Sequence, residues 1–217
     1  MSAAVREFVL RFRPLLAVAV ALACGAAATP AEATQITVTT TADELNNDGD
    51  CSLREALRAA NANAVRDACP AGSATSADEI VLASDAVYSL TIPSSGIADN
   101  GETGELVVLN NASASIDVEI TVAGDGIATI SQDAVPDTRV LAIGFGATAT
   151  IEDVVIENGT LAGISNRGAG ILVAGSLTLV RCGVRHNRSG DSGGGIRNQG
   201  TLVIQDSFLE NNSTAGS

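Results

Sequence analysis

The sequence predicts an all-β chain: a parallel β-helix, or solenoid of short strands, entered through an N-terminal strand-plus-helix cap. Three observations carry this prediction. Beyond residue 78 the chain is a succession of short apolar, β-branched runs separated by Gly, Asn, Asp and Ser, with no span of helical period. One unit recurs from Thr148 to Ser176 to Thr201, at offsets of 28 and 25 residues. Ahead of the repeats stands one amphipathic helix with its own start signal.

Gln35–Thr40 alternates and is rich in β-branched residues, which predicts a strand. A polar turn over Asp43–Asp50 leads into the helix. Its N-cap is Ser52, because Ser52-Leu53-Arg54-Glu55 fits the S-x-x-E box in which the Ser and Glu side chains each satisfy a backbone N–H of the first turn. Leu53, Ala56, Leu57 and Ala60 then share one face, and Asn61, Asn63 and Cys69-Pro70 end the segment. An open stack of strands leaves unpaired backbone and apolar side chains at its end. A strand followed by a short amphipathic helix covers such an end, so residues 34–75 are assigned as the cap and 76–217 as stacked coils.

Glu79–Leu82, Tyr88–Ile92, Leu106–Val108, Ile116–Val122, Ala128–Ile130 and Val140–Ile143 are the apolar runs of the first coils. Their spacing is irregular, which solenoids tolerate because insertions loop outward. After Gly146 the repeat is explicit. Thr148–Asp153, Ser176–Arg181 and Thr201–Asp206 align without gaps. Asn158, His186 and Asn211 share a later slot, Gly159, Asn187 and Asn212 the next, and Gly168–Ile171 matches Gly193–Ile196. Each coil buries its apolar positions only against the next, and Gly and Asn tolerate left-handed turn residues. Successive Asn side chains are placed to hydrogen-bond as a ladder. The last unit runs into Ser213–Ser217 without a closing element, so coils are expected to continue beyond residue 217; a partner covering the open end is the alternative.

Cys51-Ser52-Leu53-Arg54-Glu55-Ala56, with Asp48-Gly49-Asp50 before it and an Ala/Asn-rich helix after it, resembles the signature of the CSLREA-domain family. The resemblance runs from about Gln35 to the last residue. It implies an exported bacterial protein that opens with this module and continues as a right-handed parallel β-helix of the pectate-lyase-like fold, and it implies little about molecular activity. Phe208-Leu209-Glu210-Asn211 and Gly193-Gly194-Gly195-Ile196 also resemble the FxxN and GGA[ILV] motifs of polymorphic outer membrane proteins. Those are surface proteins whose β-helical part is carried out by an autotransporter barrel.

Residues 1–33 read as a secretory signal peptide. Arg6, Arg11 and Arg13 form a basic start, Leu15–Ala23 an apolar stretch too short to span a bilayer, and Ala31-Glu32-Ala33 a small-x-small cleavage site. The alternatives are an N-terminal membrane anchor and lipidation at Cys24, for which Ala21-Leu22-Ala23-Cys24 is a poor lipobox. Export to the cell surface or the medium is the expectation. The chain carries 25 acidic residues against 12 basic ones, all Arg, for a net charge of −13. Such a surface repels nucleic acid and anionic membrane and promotes solubility. Four Phe, one Tyr and no Trp leave few stacking platforms for polysaccharide or single-stranded nucleic acid. Cys51 and Cys69 flank the helix and are expected to form a disulfide in an oxidising compartment. Zinc is the rival, without a second Cys pair and with His186 as the sole His. Cys182 lies inside a repeat and reads as a small buried apolar residue.

Three stretches carry candidate chemistry. Glu44, Asn46, Asp48, Asp50, Ser52 and Glu55 place oxygen donors at the spacing of a twelve-residue calcium loop, with Gly49 at the turn. The first donor is Glu where Asp is expected, no helix precedes the loop, and an Asx-rich turn before a capped helix uses the same residues. Gly190-Asp191-Ser192-Gly193-Gly194 resembles the nucleophile motif of trypsin-like proteases, but the sole His lies on the same coil and no acid–base pair converges on Ser192. Asp153, Arg181 and Asp206 share one slot on successive coils. There, charged groups could act on an acidic polysaccharide as β-helical lyases and hydrolases do, although the absence of Lys removes one element of the hydrolase set. A solvated ladder of outward charges is the ordinary reading. The sequence favours a non-catalytic passenger or adhesin-like module that contacts a surface glycan or protein. A polysaccharide lyase or hydrolase with active residues partly beyond residue 217, and a structural spacer, are the other two classes.

Overall fold

One alternation, repeated, builds the architecture. In Asp117–Val122 every second residue (Val118, Ile120, Val122) is buried; in Thr148–Glu152 these are Ala149 and Ile151, and in Ser176–Val180 they are Leu177 and Leu179. These strands of the first sheet therefore have one buried face and one more exposed face, whereas Leu141–Ile143 and residues 154–156 are buried on both. The computed structural model describes residues 33–95, 100–110, 117–133, 138–162 and 167–215. Apart from Ala33, the expected signal peptide and Cys24 lie outside the described residues.

The strands form four open sheets, paired in parallel throughout. The first sheet runs in chain order through β1 (Thr34–Thr37), β2 (Asp78–Leu82), β5 (Asp117–Val122), β8 (Thr148–Glu152), β12 (Ser176–Val180) and β16 (Thr201–Gln205). The second runs through β3 (Val87–Leu90), β6 (Ala128–Gln132), β9 (Val154–Glu157), β13 (Gly183–Arg185) and β17 (Phe208–Glu210). The third holds β4 (Leu106–Val108), β7 (Leu141–Ile143), β11 (Ile171–Val173) and β15 (Ile196–Asn198). The fourth is short: β10 (Thr160–Leu161), β14 (Arg188–Ser189) and β18 (Ser213–Thr214). No described sheet closes into a barrel.

Register is set by the inward side chains. Ile36, Ile80, Ile120, Ile151, Leu179 and Ile204 pair in succession across the first sheet. The first five are completely buried, and Ile204 on the last strand is 40% exposed. A slip by one residue would turn this column to solvent, which fixes the register. The gapless alignment of the three repeat segments is the same register, with Leu177 between Ala149 and Leu202 and Leu179 between Ile151 and Ile204. Gly168–Ile171 likewise donates its backbone N–H groups to the carbonyls of Ser192–Gly195.

Two glycines show what the turns require. Gly193 holds φ at +67°, where a side chain is strained. At Gly159 a Cβ would lie 2.0 Å from the Ala169 carbonyl oxygen, so the Asn of the next two units has no room there. In those units Asn187 donates to Asn212 Oδ1 at 3.0 Å and accepts from the Gly159 N–H at 2.8 Å, and Asn212 donates to the Val184 carbonyl at 2.7 Å. The expected Asn ladder is present between these turns.

The single described helix, α1 (Leu53–Ala62), starts as predicted. Ser52 Oγ accepts from the Glu55 N–H and Glu55 Oε2 accepts from the Ser52 N–H, both bonds of the capping box. Leu53, Ala56, Leu57 and Ala60 are buried. The helix ends at Asn63, which takes a left-handed conformation at φ 49°. Asn61 does not end the helix. It sits inside it, buried, donating to the Val107 carbonyl and accepting from the Leu109 N–H. The Cys51–Cys69 disulfide joins the two sides of the helix across a separation of 18 residues, worth about 3 kcal/mol in the chain-entropy model. Cys182 is a buried free thiol, and burial pushes its pKa up, so it is an inert packing residue.

The column predicts a gradient of packing energies. Leu179→Ala, on a strand paired on both sides, is expected to cost about 2–5 kcal/mol in urea unfolding, and Ile204→Ala on the half-exposed next strand clearly less. Equal losses at the two positions would contradict the column as the source of register.

Candidate functional site

Buried polar groups converge on one part of the described molecule, around α1. Arg54 follows the apolar Leu53, and seven residues on, two helical turns away, lies Asn61; the two share a face that a sequence reading assigns to solvent. Both are buried. Arg54 Nε donates to Asp43 Oδ1 at 2.6 Å and Nη2 to Asp43 Oδ2 at 3.1 Å, a two-pronged ion pair with side chains 0% and 2% exposed. The remaining donors reach the carbonyls of Gly101 at 2.9 Å and Gly104 at 2.8 Å, with Glu105 further off at 3.4 Å. Asp43 Oδ2 also accepts the N–H groups of Thr91 at 2.7 Å and Ile92 at 2.8 Å. This cluster joins four stretches of chain, and sequence reasoning missed it. The available signal was an Arg and an Asn seven residues apart on a helix whose opposite face is apolar.

Beside it lies the stretch expected to resemble a calcium loop. Carboxylate oxygens of Glu44, Asp48 and Asp50 lie within 4.8 Å of one another, and so do those of Asp50, Glu55 and Asp67. Asp67 was not foreseen: it arrives from the far side of the helix, and its Oδ2 accepts the N–H groups of Asp48 and Gly49. Two expected donors do other work. Asn46 turns its amide N–H₂ toward Glu44 and Asp48, donating at 2.9 and 3.0 Å, and Glu55 spends both oxygens on the backbone N–H groups of Asn46 and Ser52. Ser52 Oγ faces the Glu44 carbonyl and the helix start rather than the carboxylates. The ligands that remain for a divalent cation are Glu44, Asp48, Asp50 and Asp67, with Glu55 behind them. Desolvation, then the charges of Asp48 and Asp50, holds the Glu44 carboxyl above its ordinary range. Desolvation, then Asp48, Glu55 and Asp67, does the same for Asp50.

The slot shared by Asp153, Arg181 and Asp206 is a different kind of place. All three residues adopt left-handed backbone, at φ 58°, 52° and 49°. Arg181 forks onto Asp153, with Nε and Nη2 each at 2.7 Å, and reaches Glu152 at 2.8 Å. The guanidinium hydrogen bond holds Asp153 below the usual carboxylate range and Arg181 more firmly protonated than usual. Asp206 is exposed and forms no ion pair with Arg181. Ser192 Oγ accepts from Arg197 Nη1 at 3.1 Å, and His186 faces Asn211 at 3.4 Å.

No protein-family model, no curated protein and no solved structure matches the chain. Among the described residues no helix is long and apolar enough to cross a membrane.

Two measurements test this region. Arg54→Met leaves Asp43 buried without its countercharge and should cost about 3–5 kcal/mol in denaturant unfolding; a loss under about 1 kcal/mol would show that the pair is not what joins these stretches. A carboxyl whose folded pKa is raised contributes stability below its unfolded pKa, about 4, and loses it as pH rises through the folded value. Asp50→Asn should therefore raise the melting temperature at pH 7 and leave it nearly unchanged near pH 4. Occupancy of the carboxylates by Ca²⁺ requires that millimolar Ca²⁺ stabilise the parent and not the variant, and identical melts with and without Ca²⁺ exclude it.

Proposed function

We propose that the chain is an exported protein of the CSLREA-domain family, a right-handed parallel β-helix with a cap over residues 34–75 and coils from residue 76 onward. In this reading it acts without catalysis, as a passenger or adhesin-like module at the cell surface or in the medium. The observation that carries the reading is the route of the chain: from Thr148 it visits the first, second, fourth and third sheets in that order, twice over, then enters a third round, always in parallel register. That route supports a solenoid whose outward rows supply contact area without depending on any single residue.

The charged slots support the non-catalytic part. Arg181 with Asp153 and Glu152, and Arg185 with Glu157, bridge from one turn to the turn before. A carboxylate held below its usual range is a poor base, and a guanidinium forked on two carboxylates is not free to polarise a substrate. The slot therefore supports a ladder between turns more than a lyase centre.

Expression of the whole chain in a bacterial host tests the export claim. The exported protein should have the mass of a chain cut after Ala33 and lacking the two hydrogens of the Cys51–Cys69 thiols; retention of the uncut chain in the cell would defeat it. Incubation with polygalacturonate and alginate should release neither unsaturated nor reducing ends. Product formation abolished by Asp153→Ala would replace the non-catalytic reading with a polysaccharide-degrading one.

A further inference from the structure

Beside α1 a cleft of about 330 Å³ is lined by Arg58, Arg66, Asn100, Asn110 and Leu109, together with Asn61. Its arginines stand out in a chain of net charge −13. Arg54, Arg58, Arg139, Arg167, Arg181 and Arg185 each pair with a carboxylate. Arg66 does not. Its Nε is shielded from solvent and has no hydrogen-bond partner. Glu55 and Asp67 line the adjoining cleft with Arg58 and Arg66, but neither forms an ion pair with Arg66. Arg58 meets Glu102, whose side chain is half exposed.

A guanidinium is always charged and carries five donors, so a cleft walled by two of them in an acidic chain favours an oxyanion. The other walls narrow the choice of anion. Asn110 donates to the Gly146 carbonyl and keeps its own amide oxygen for a hydroxyl. Asn100 adds a second amide, and Leu109 an apolar floor. Asn61 is tied to the Val107 carbonyl and the Leu109 N–H and serves as a fixed wall. The volume is at the small end of ligand pockets, and no aromatic residue lines it among the described residues. We infer that this cleft binds a small hydroxylated carboxylate of sugar-acid size, its carboxylate on Arg66 and Arg58 and its hydroxyls on the Asn amides. The carboxylate meets a guanidinium fork through two oxygens, and the Asn amides favour a ligand that also carries hydroxyls over a bare oxyanion.

Glucuronate and glucose make a clean pair of probes, since they differ in the carboxylate. Calorimetry on the mature protein should give saturable binding of glucuronate and at least tenfold weaker binding of glucose. Arg66→Gln should abolish the glucuronate heat without lowering the melting temperature of the free protein, because the replaced donor had no partner to lose. Asn100→Asp, which puts a fixed carboxylate in the cleft, should block glucuronate while the protein stays folded. Sulfate or phosphate binding as tightly as glucuronate would reduce the cleft to an adventitious ion site and overturn the proposal. So would no binding of glucuronate, or undiminished binding by Arg66→Gln.

Discussion

The buried pair between Arg54 and Asp43 is the constraint on which the arrangement around the helix depends. Taking both charges out of water is costly, and it succeeds only where the remaining donors and lone pairs are also used. Here they are: the guanidinium feeds loop carbonyls at residues 101–105 and the carboxylate accepts the backbone of residues 91 and 92. The strand Leu106–Val108 begins directly after these carbonyls, and Asn61 holds the backbone on its far side. The first strand of the third sheet is thus held by the polar face of the helix as well as by the apolar core that Leu106 and Val108 share with Leu53 and Leu57. The capping box sets where that helix begins, and the disulfide ties its two sides, so local and long-range constraints agree.

Much of the stack was legible in the sequence, for a simple reason. Inward positions repeat with period two along a strand and with one coil between strands, so an alignment of apolar residues is already a pairing register. Thr148–Asp153, Ser176–Arg181 and Thr201–Asp206 show this without a gap. The capping box was legible because it needs only four consecutive residues. What was not legible was pairing between polar groups far apart in sequence. Asp67 reaching Asp48, and Arg54 reaching Gly101, are set by how the chain returns, and no local pattern marks them. Asp78 is a further case: it takes an inward place in the first sheet opposite Val118, completely buried, and desolvation raises its carboxyl pKa.

The repeated polar slots are best understood through backbone conformation. Asp153, Arg181 and Asp206, like Asn158, His186 and Asn211, all have positive φ. Asp and Asn suit that region because a short polar side chain can satisfy nearby backbone groups. An alignment of Asp residues on successive turns therefore reports a turn geometry before it reports chemistry. Arg181 and His186 are the less suited occupants. Arg181 is tied to two carboxylates of the preceding turn, which offsets part of the strain. His186 meets only Asn211, at 3.4 Å.

These constraints divide the described molecule by what a substitution disturbs. Inside the stack the buried polar residues serve the framework: Asn187 completes a ladder, and Gln132 donates to the Arg139 carbonyl. Around the helix, Ser52, Arg54, Glu55 and Asn61, with Asp78 at the start of β2, are buried, and the unpaired Arg66 and Asp50 atoms lie near them in sequence. Outward side chains of the sheets can vary without touching the column of Ile and Leu that fixes register. The polar residues around the helix cannot, because their charges are coupled through shared partners, and removing one strands another. Converging polar groups therefore lie around the helix, and extended area lies along the sheets.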